Sequence, residues 1–172
     1  MAKRLNLQEY QENILSRMKA LEQGGEVVTT SRLGVQVGDD AWLISLGDVG
    51  EVLPVPEIHP VPLTRPWFMG MSSVRGNLYA VSDLSAFLGG RAVRLGTDSR
   101  LLLAGSRFGI NSAFAIDRLH GLRNISGMTA TKVPRNAPAW QIGAYKDENG
   151  RVWNELDVST LLNSTGFMQV AI

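Results

Sequence analysis

The stretch Pro66–Leu88, PWFMGMSSVRGNLYAVSDLSAFL, decides how the chain is read. It opens with a proline and three bulky residues, and glycines predict turns at Gly70 and at Arg75-Gly76. Asn77 to Val81 is dominated by apolar and small residues and predicts a strand. Asp83 predicts an N-cap for a short helix, Leu84 to Leu88, because its carboxylate can accept backbone N–H groups at the helix start. Gly89-Gly90 ends that helix. One charged side chain, Arg75, interrupts the run. Burying it unpaired would be costly, so it is expected either exposed or paired, with Asp83 or Glu51 as the partner carboxylate.

Working outward, 172 residues are enough to bury about two-thirds of the unfolded surface in a sizeable core. No run of 18 apolar residues is present, so no membrane-spanning helix and no direct membrane insertion are expected. The segment MAKRLNLQEYQENI carries no apolar run of the signal-peptide kind. With no cysteine there is no disulfide and no thiolate metal site, which fits a cytosolic protein. A net charge of +1 gives no reason to expect nucleic acid as a partner.

Toward the N-terminus, Leu7, Tyr10, Ile14, Met18 and Leu21 recur at spacings that form one apolar stripe on a helix, and Gly24-Gly25 stops it. The expected division is therefore an amphipathic helix over 1–25 and a β domain over 26–172. The stripe can pack on its own domain, meet a partner helix, or belong to a loosely attached end. From Leu33 the period becomes that of strands. Leu33, Val35 and Val37 alternate with small or polar residues, Gly38-Asp39-Asp40 signals a hairpin, and Ala41 to Leu46 returns with Trp42 and Ile44 on one face and Leu43 on the other. Gly47 and Gly50 predict bends before a third strand at Glu51-Val52-Leu53. Short strands separated by glycine turns predict an antiparallel barrel or sandwich and not a βαβ unit.

Five of the seven prolines fall between Pro54 and Pro66 at spacings of 2, 4, 2 and 4. No PxxP pair results, so a stiff extended connector crossing between subdomains is expected. Arg91, Arg94, Arg100 and Arg107 follow with Asp98 as the one carboxylate among them, read either as a solvated loop or as a contact surface for an acidic partner. Strands are expected at Leu101 to Ala104 and at Ile110 to Ile116, the latter continuing through Asp117 to Leu122. Met128 to Pro138 reads as a loop. Trp140 to Tyr145 and Arg151 to Trp153 read as a hairpin, Asn154 as an N-cap with Asp157 as its reciprocal partner, Leu156 to Leu162 as a short helix, and Phe167 to Ile172 as a terminal strand.

Catalytic chemistry finds little support. The two histidines, His59 and His120, fall short of the three or four ligands of a metal site, and no carboxylates cluster beside them. Ser72, His59 and Asp83 could be assembled into a triad on paper, but no Gly-x-Ser-x-Gly elbow presents the serine. No catalytic residue, metal or cofactor is expected.

The ordered motifs resemble the signature of the CheW-like family, the bacterial chemotaxis adaptor fold. They are Ser72-Ser73-Val74-Arg75-Gly76, Leu78 to Val81 and Asp83-Leu84. To these add Val49 to Val52, Asp117 to Gly121, Trp153-Asn154-Glu155-Leu156-Asp157, Leu161-Leu162 and Phe167 to Val170. Ser73 stands where the family commonly has Asn, Ser82 where it more often has Val or Ile, and Leu119 in place of its usual valine. The likeness spans roughly Ser31 to Val170. It implies two small SH3-like antiparallel β-barrel subdomains packed together, no enzymatic activity, and a cytoplasmic place at receptor arrays. The implied partners are the regulatory domain of a chemotaxis histidine kinase and the cytoplasmic tips of methyl-accepting chemoreceptors. The PEIHPVP segment and the Asn-Glu-Leu-Asp ending look nearest to the branch serving type IV pilus twitching motility. The partner-binding candidates are Arg75 with its neighbours Val74 and Gly76, His59 in the proline-rich wall, and Trp67 and Phe68 as apolar anchors, with core packing the simpler use of Trp67. The other reading is a different all-β binding module or an uncharacterised small enzyme of that class.

Overall fold

The computed structural model describes residues 30–172; the helix expected over 1–25 lies outside them. Eleven strands among the described residues form two sheets. β1 (Ser31–Val37) and β2 (Asp40–Ser45) form a hairpin in which Gly38 takes φ 61 at the turn. After a short turn of helix at Leu46–Asp48 the chain enters the second sheet with β3 (Val49–Pro54), β4 (Phe68–Val74), β5 (Asn77–Asp83), β6 (Arg100–Ala104) and β7 (Ser112–Ile116). It returns to the first sheet with β8 (Arg118–Asn124), β9 (Thr129–Ala130), β10 (Gln141–Lys146) and β11 (Val152–Leu156). The orders are β8-β1-β2-β11-β10-β9 and β3-β6-β7-β5-β4.

Both sheets curl. Flat, the edges β3 and β4 would lie about 19 Å apart at ~4.8 Å per strand step. Yet Arg75 at the end of β4 reaches Glu51 on β3 at 2.7 Å. In the first sheet the edges β8 and β9 would be about 24 Å apart when flat, but Asn124 and Thr129 are joined by a chain that spans at most about 17 Å. The result is mainly β and mostly antiparallel, as expected. One parallel pair in each sheet, β2 with β11 and β5 with β7, is what the strand pattern did not show.

Strand alternation accounts for three apolar layers. Trp42 and Ile44 of β2, Leu102 and Ala104 of β6, and Phe114 and Ile116 of β7 enter one core shared by the two sheets. Their neighbours turn the other way: Ala41 and Leu43 pack with Trp153 inside the first sheet, and Leu101, Leu103, Ala113 and Ala115 pack with Val74 and Val81 inside the second. These strands are buried on both faces, which is why LLLA and AFAI are continuous apolar runs. Helices at Leu84–Phe87, Val158–Asn163 and Thr165–Met168 cover the shared core, with Trp67 stacked on Phe167 at 5.4 Å and edge-on to Phe87 at 5.0 Å.

Several expectations are corrected. Gly70 is no turn: β4 runs through it with a bulge between Phe68 and Gly70. The strand read from Ile110 through Leu122 is two strands in different sheets, which part at Asp117; a continuous apolar pattern does not mark a change of sheet. The proline-rich connector joins β3 to β4 and so stays with the second sheet, while the crossings occur at Leu46–Asp48 and Asp117. Lacking N–H groups at its prolines, it pairs only at points: His59 N–H donates to Met71 O at 2.8 Å and Met71 N–H to His59 O at 2.9 Å. Asn154 is a strand residue accepting from Gln141 Nε2; the helix cap is Asp157, which accepts from the Ser159 N–H. The expected terminal strand is a helix over Thr165–Met168 followed by a single bridge from Ala171 to Thr64.

Candidate interaction surface

The β4–β5 hairpin is closed by two residues, Arg75 and Gly76, between the paired Val74 and Asn77. Both have positive φ, 50 and 81, the backbone a type I′ turn requires. Glycine adopts it freely, but arginine there is strained. At the tip of the turn the guanidinium points outward: the Arg75 side chain is 75% exposed, and its Nη2 donates to Glu51 Oε1. An ion pair this exposed contributes about 0–1 kcal/mol. Of the two carboxylates considered for Arg75, Glu51 is the partner. Asp83 is engaged elsewhere: one oxygen accepts from Ala86 N–H at 3.0 Å, capping the short helix as expected, and the other from Val93 N–H at 2.8 Å.

Beside this tip, two apolar side chains face water. Leu78, opposite exposed Ser73, is 56% exposed, and Ile110 is 39% exposed. The parallel register pairs Ala80 with Ser112, so Leu78 and Ile110, each two residues earlier, share the same end of the β5–β7 pair. Arginine is among the residues enriched at the energetic centres of protein interfaces, and exposed aliphatic groups beside it can help exclude water. Neither aliphatic residue stood out in the sequence, because alternation does not tell which face of a strand meets solvent.

The structure brings together only part of the predicted set. Arg75 and Gly76 are exposed at the tip. Val74 is buried at 7% in the second sheet's own core, so it supports the turn from below. His59 is exposed and held along β4, where Gly70 makes room for it: a Cβ on Gly70 would stand 2.1 Å from His59 O. Trp67 and Phe68 are half-buried, 6.4 Å apart and edge to face, and Trp67 is committed to the aromatic cluster with Phe87 and Phe167. The paper triad is not assembled: Ser72 Oγ donates to Glu57 O, and Asp83 is the cap.

Residues 32–166 match the model of the CheW-like domain. The chain belongs to the CheW-like domain family. All six candidate residues lie within the matched span. A curated relative, Protein PilI of Pseudomonas aeruginosa, is 27% identical over 150 residues, covering 85% of this chain and 83% of its own. Among solved structures, the scaffolding protein TtCheW from Thermoanaerobacter tengcongensis superposes with a TM-score of 0.66 at 19% identity, over 80% of this chain and 94% of that one. The likeness supports the same fold.

A second group of polar residues in this CheW-like domain gathers where the chain passes from β7 to β8. Asp117 accepts from Gly38 N–H at 2.7 Å, from Arg91 Nη1 at 2.8 Å and from Arg94 N–H at 3.2 Å, tying the β1–β2 turn to the segment that leads into β6. Arg107 is paired with the buried Asp48, and Arg100 donates to the carbonyls of Thr97 and Ser99. Three of the four arginines noted in the sequence are therefore engaged within the chain. His120 lies on β8 with Nε2 at 3.1 Å from Gln36 Oε1. Burial, and after it the charges of Arg151, Arg123 and Arg118, hold its pKa below the ordinary histidine value. Asp147 is held below the usual carboxylate range chiefly because it accepts from the Trp153 indole N–H. The Tyr145 hydroxyl is pushed up by burial and by Glu155, which also binds Arg32 at 2.7 Å.

Proposed function

We propose that the protein is a non-enzymatic adaptor that couples the cytoplasmic tips of methyl-accepting chemoreceptors to the regulatory domain of a chemotaxis-type histidine kinase, in a pathway controlling type IV pilus twitching motility. It works in the cytoplasm and is recruited to receptor arrays. Membership of the CheW-like family supports the adaptor role, and the relative named PilI supports the pilus branch. One observation carries the reading: Arg75, inside the family-matched span, is fixed in a strained two-residue turn and left 75% exposed beside Leu78. A turn that only needed closing would be served better by glycine or asparagine. No helix among the described residues is long and apolar enough to cross a membrane.

The adaptor has two jobs, and the test addresses each. Purified protein is titrated with the kinase regulatory domain and, separately, with a receptor-tip fragment. Arg75→Ala is expected to weaken one or both by about 1–3 kcal/mol, a factor of about 5 to 150, with an unchanged melting curve. Wild-type affinity for both partners in the variant would remove Arg75 from the binding surface. Failure of the wild-type protein to bind either partner would remove the adaptor reading itself.

A further inference from the structure

Asp117 and its partners form one wall of an open cleft of about 530 Å³. Gln36 of β1, Gly38 and Asp39 of the β1–β2 turn, Arg118 and His120 of β8, and the 91–99 segment line it. Its carboxylates are already matched. Asp117 and Asp39 are paired with Arg91, and Asp98 with Arg118. Within the lining Arg91, Arg94 and Arg118 balance three aspartates, and Arg151 and Arg123, which act on His120 from beside it, add the further cations. Arg94 is exposed and lines the cleft, and no carboxylate of the described residues lies within ion-pair distance of its guanidinium. The same holds for Arg151, which lies over the Trp153 ring at 4.8 Å and touches two lining residues, its guanidinium donating to Gln36 Oε1 and lying 3.2 Å from His120 Nε2. Arg123 lies over the Trp153 ring at 5.0 Å with its Nε buried and unpartnered.

We infer that this cleft is a docking site for an acidic peptide segment of a protein partner, with Arg94 and Arg151 as the cations that receive its carboxylates. The site is separate from the Arg75 tip and adds a second contact to the adaptor reading on which it rests. Its openness suits an extended chain better than an enclosed ligand, and the free cations are arginines, whose planar forks pair with carboxylates in two-point fashion. At His120, one of the lining residues, nearby arginines set a positive field. The groups facing His120 are Gln36 from β1, Arg118 and Arg123 from its own strand, and Arg151 and Trp153 from the β11 side. Burial first, and then the three arginines among them, disfavour its protonation. A bound carboxylate would relieve that field.

The probe is a hexaglutamate peptide titrated into the full chain at low salt, read by the ring-proton NMR signals of the two histidines, with hexalysine and inorganic phosphate as comparisons. The inference expects hexaglutamate to shift His120 and raise its pKa, to leave His59 unmoved, and to bind at least tenfold more weakly to Arg94→Glu and to Arg151→Glu. Arg135→Glu, an equal charge change at an exposed residue, is expected to alter affinity less than twofold. Melting curves establish that each variant is folded. Absence of a His120 shift, equal weakening by Arg135→Glu, or competition by millimolar phosphate as strong as that by the peptide would each overturn the inference. The probe contains neither kinase nor receptor, so this result and the partner titrations can fail independently.

Discussion

Replacing Gly70 with alanine tests how the candidate surface is built. Gly70 sits at φ 131 on the β4 bulge, and a Cβ there would meet His59 O at 2.1 Å, His59 C at 2.7 Å and Pro60 Cα at 2.9 Å. All three are backbone atoms and cannot swing aside as a side chain does. The alanine therefore brings two costs. Holding an L-residue at this φ costs of order 1–3 kcal/mol. Displacing the connector breaks the reciprocal His59–Met71 pair, two backbone hydrogen bonds worth about 1 kcal/mol each. The sum is about 3–5 kcal/mol, a large share of a typical total stability. For a chain of this size it corresponds to a melting temperature lower by about 6–20 °C. Gly76→Ala is the matched control: its φ is 81, but its Cβ would meet nothing within 4 Å, so only the left-handed strain of about 1–2 kcal/mol applies. Urea unfolding of both variants gives the difference, and amide hydrogen exchange at Met71 reports whether the connector has come away. Equal losses in the two variants, or continued protection of the Met71 amide, would refute the idea that Gly70 is needed for the close approach of His59.

Arg75→Gly removes an exposed ion pair and also the left-handed strain, so its unfolding free energy is expected within about 1 kcal/mol of wild type. A larger loss by chemical denaturation would make Arg75 a structural residue. Asp83→Ala strips the cap from the Leu84 helix and leaves the Val93 N–H without its acceptor, an expected loss of about 2–4 kcal/mol; a change under 1 kcal/mol would mean that water replaces both bonds. The folded-state pKa of His120 lies below its unfolded value near 6.5, so its neutral form stabilises the fold above that pH. That stability is lost as pH falls from about 6.5 through the folded value. His120→Asn is expected to flatten this limb of a pH–stability curve, and an unchanged slope would show that His120 is not its source.

How much of this was legible in the chain follows from the range of the interactions. Signals carried by a few consecutive residues were readable: the Gly38 turn, the two-faced β2 strand with Trp42 and Ile44 opposite Leu43, the Asp83 cap, and the Arg75-Gly76 hairpin. The ordered motifs were enough to place the chain near its family, because each is a local backbone requirement in fixed sequence. Their failures are also local in origin. Asn154 and Asp157 are both good caps, and only the pairing of β11 with β2 and β10 keeps Asn154 extended and leaves the cap to Asp157.

What remained for the tertiary structure was pairing between distant segments. An apolar strand has two edges and no label for its neighbour, so the parallel pairs and the change of sheet at Asp117 were not written in any period. Exposure is decided the same way: Val74 and Leu78 are both aliphatic residues of one hairpin, and the curl of the sheet buries the first and presents the second. The same folding chooses Glu51 for Arg75, 24 residues away, and spends Arg91 on Asp117 while leaving Arg94 free. The sequence by itself determined most of the strands, the Gly38 and Arg75-Gly76 turns and the family to which they belong. Which charges and apolar groups remain available to a partner was decided by long-range packing, because availability is what is left after the chain has satisfied itself.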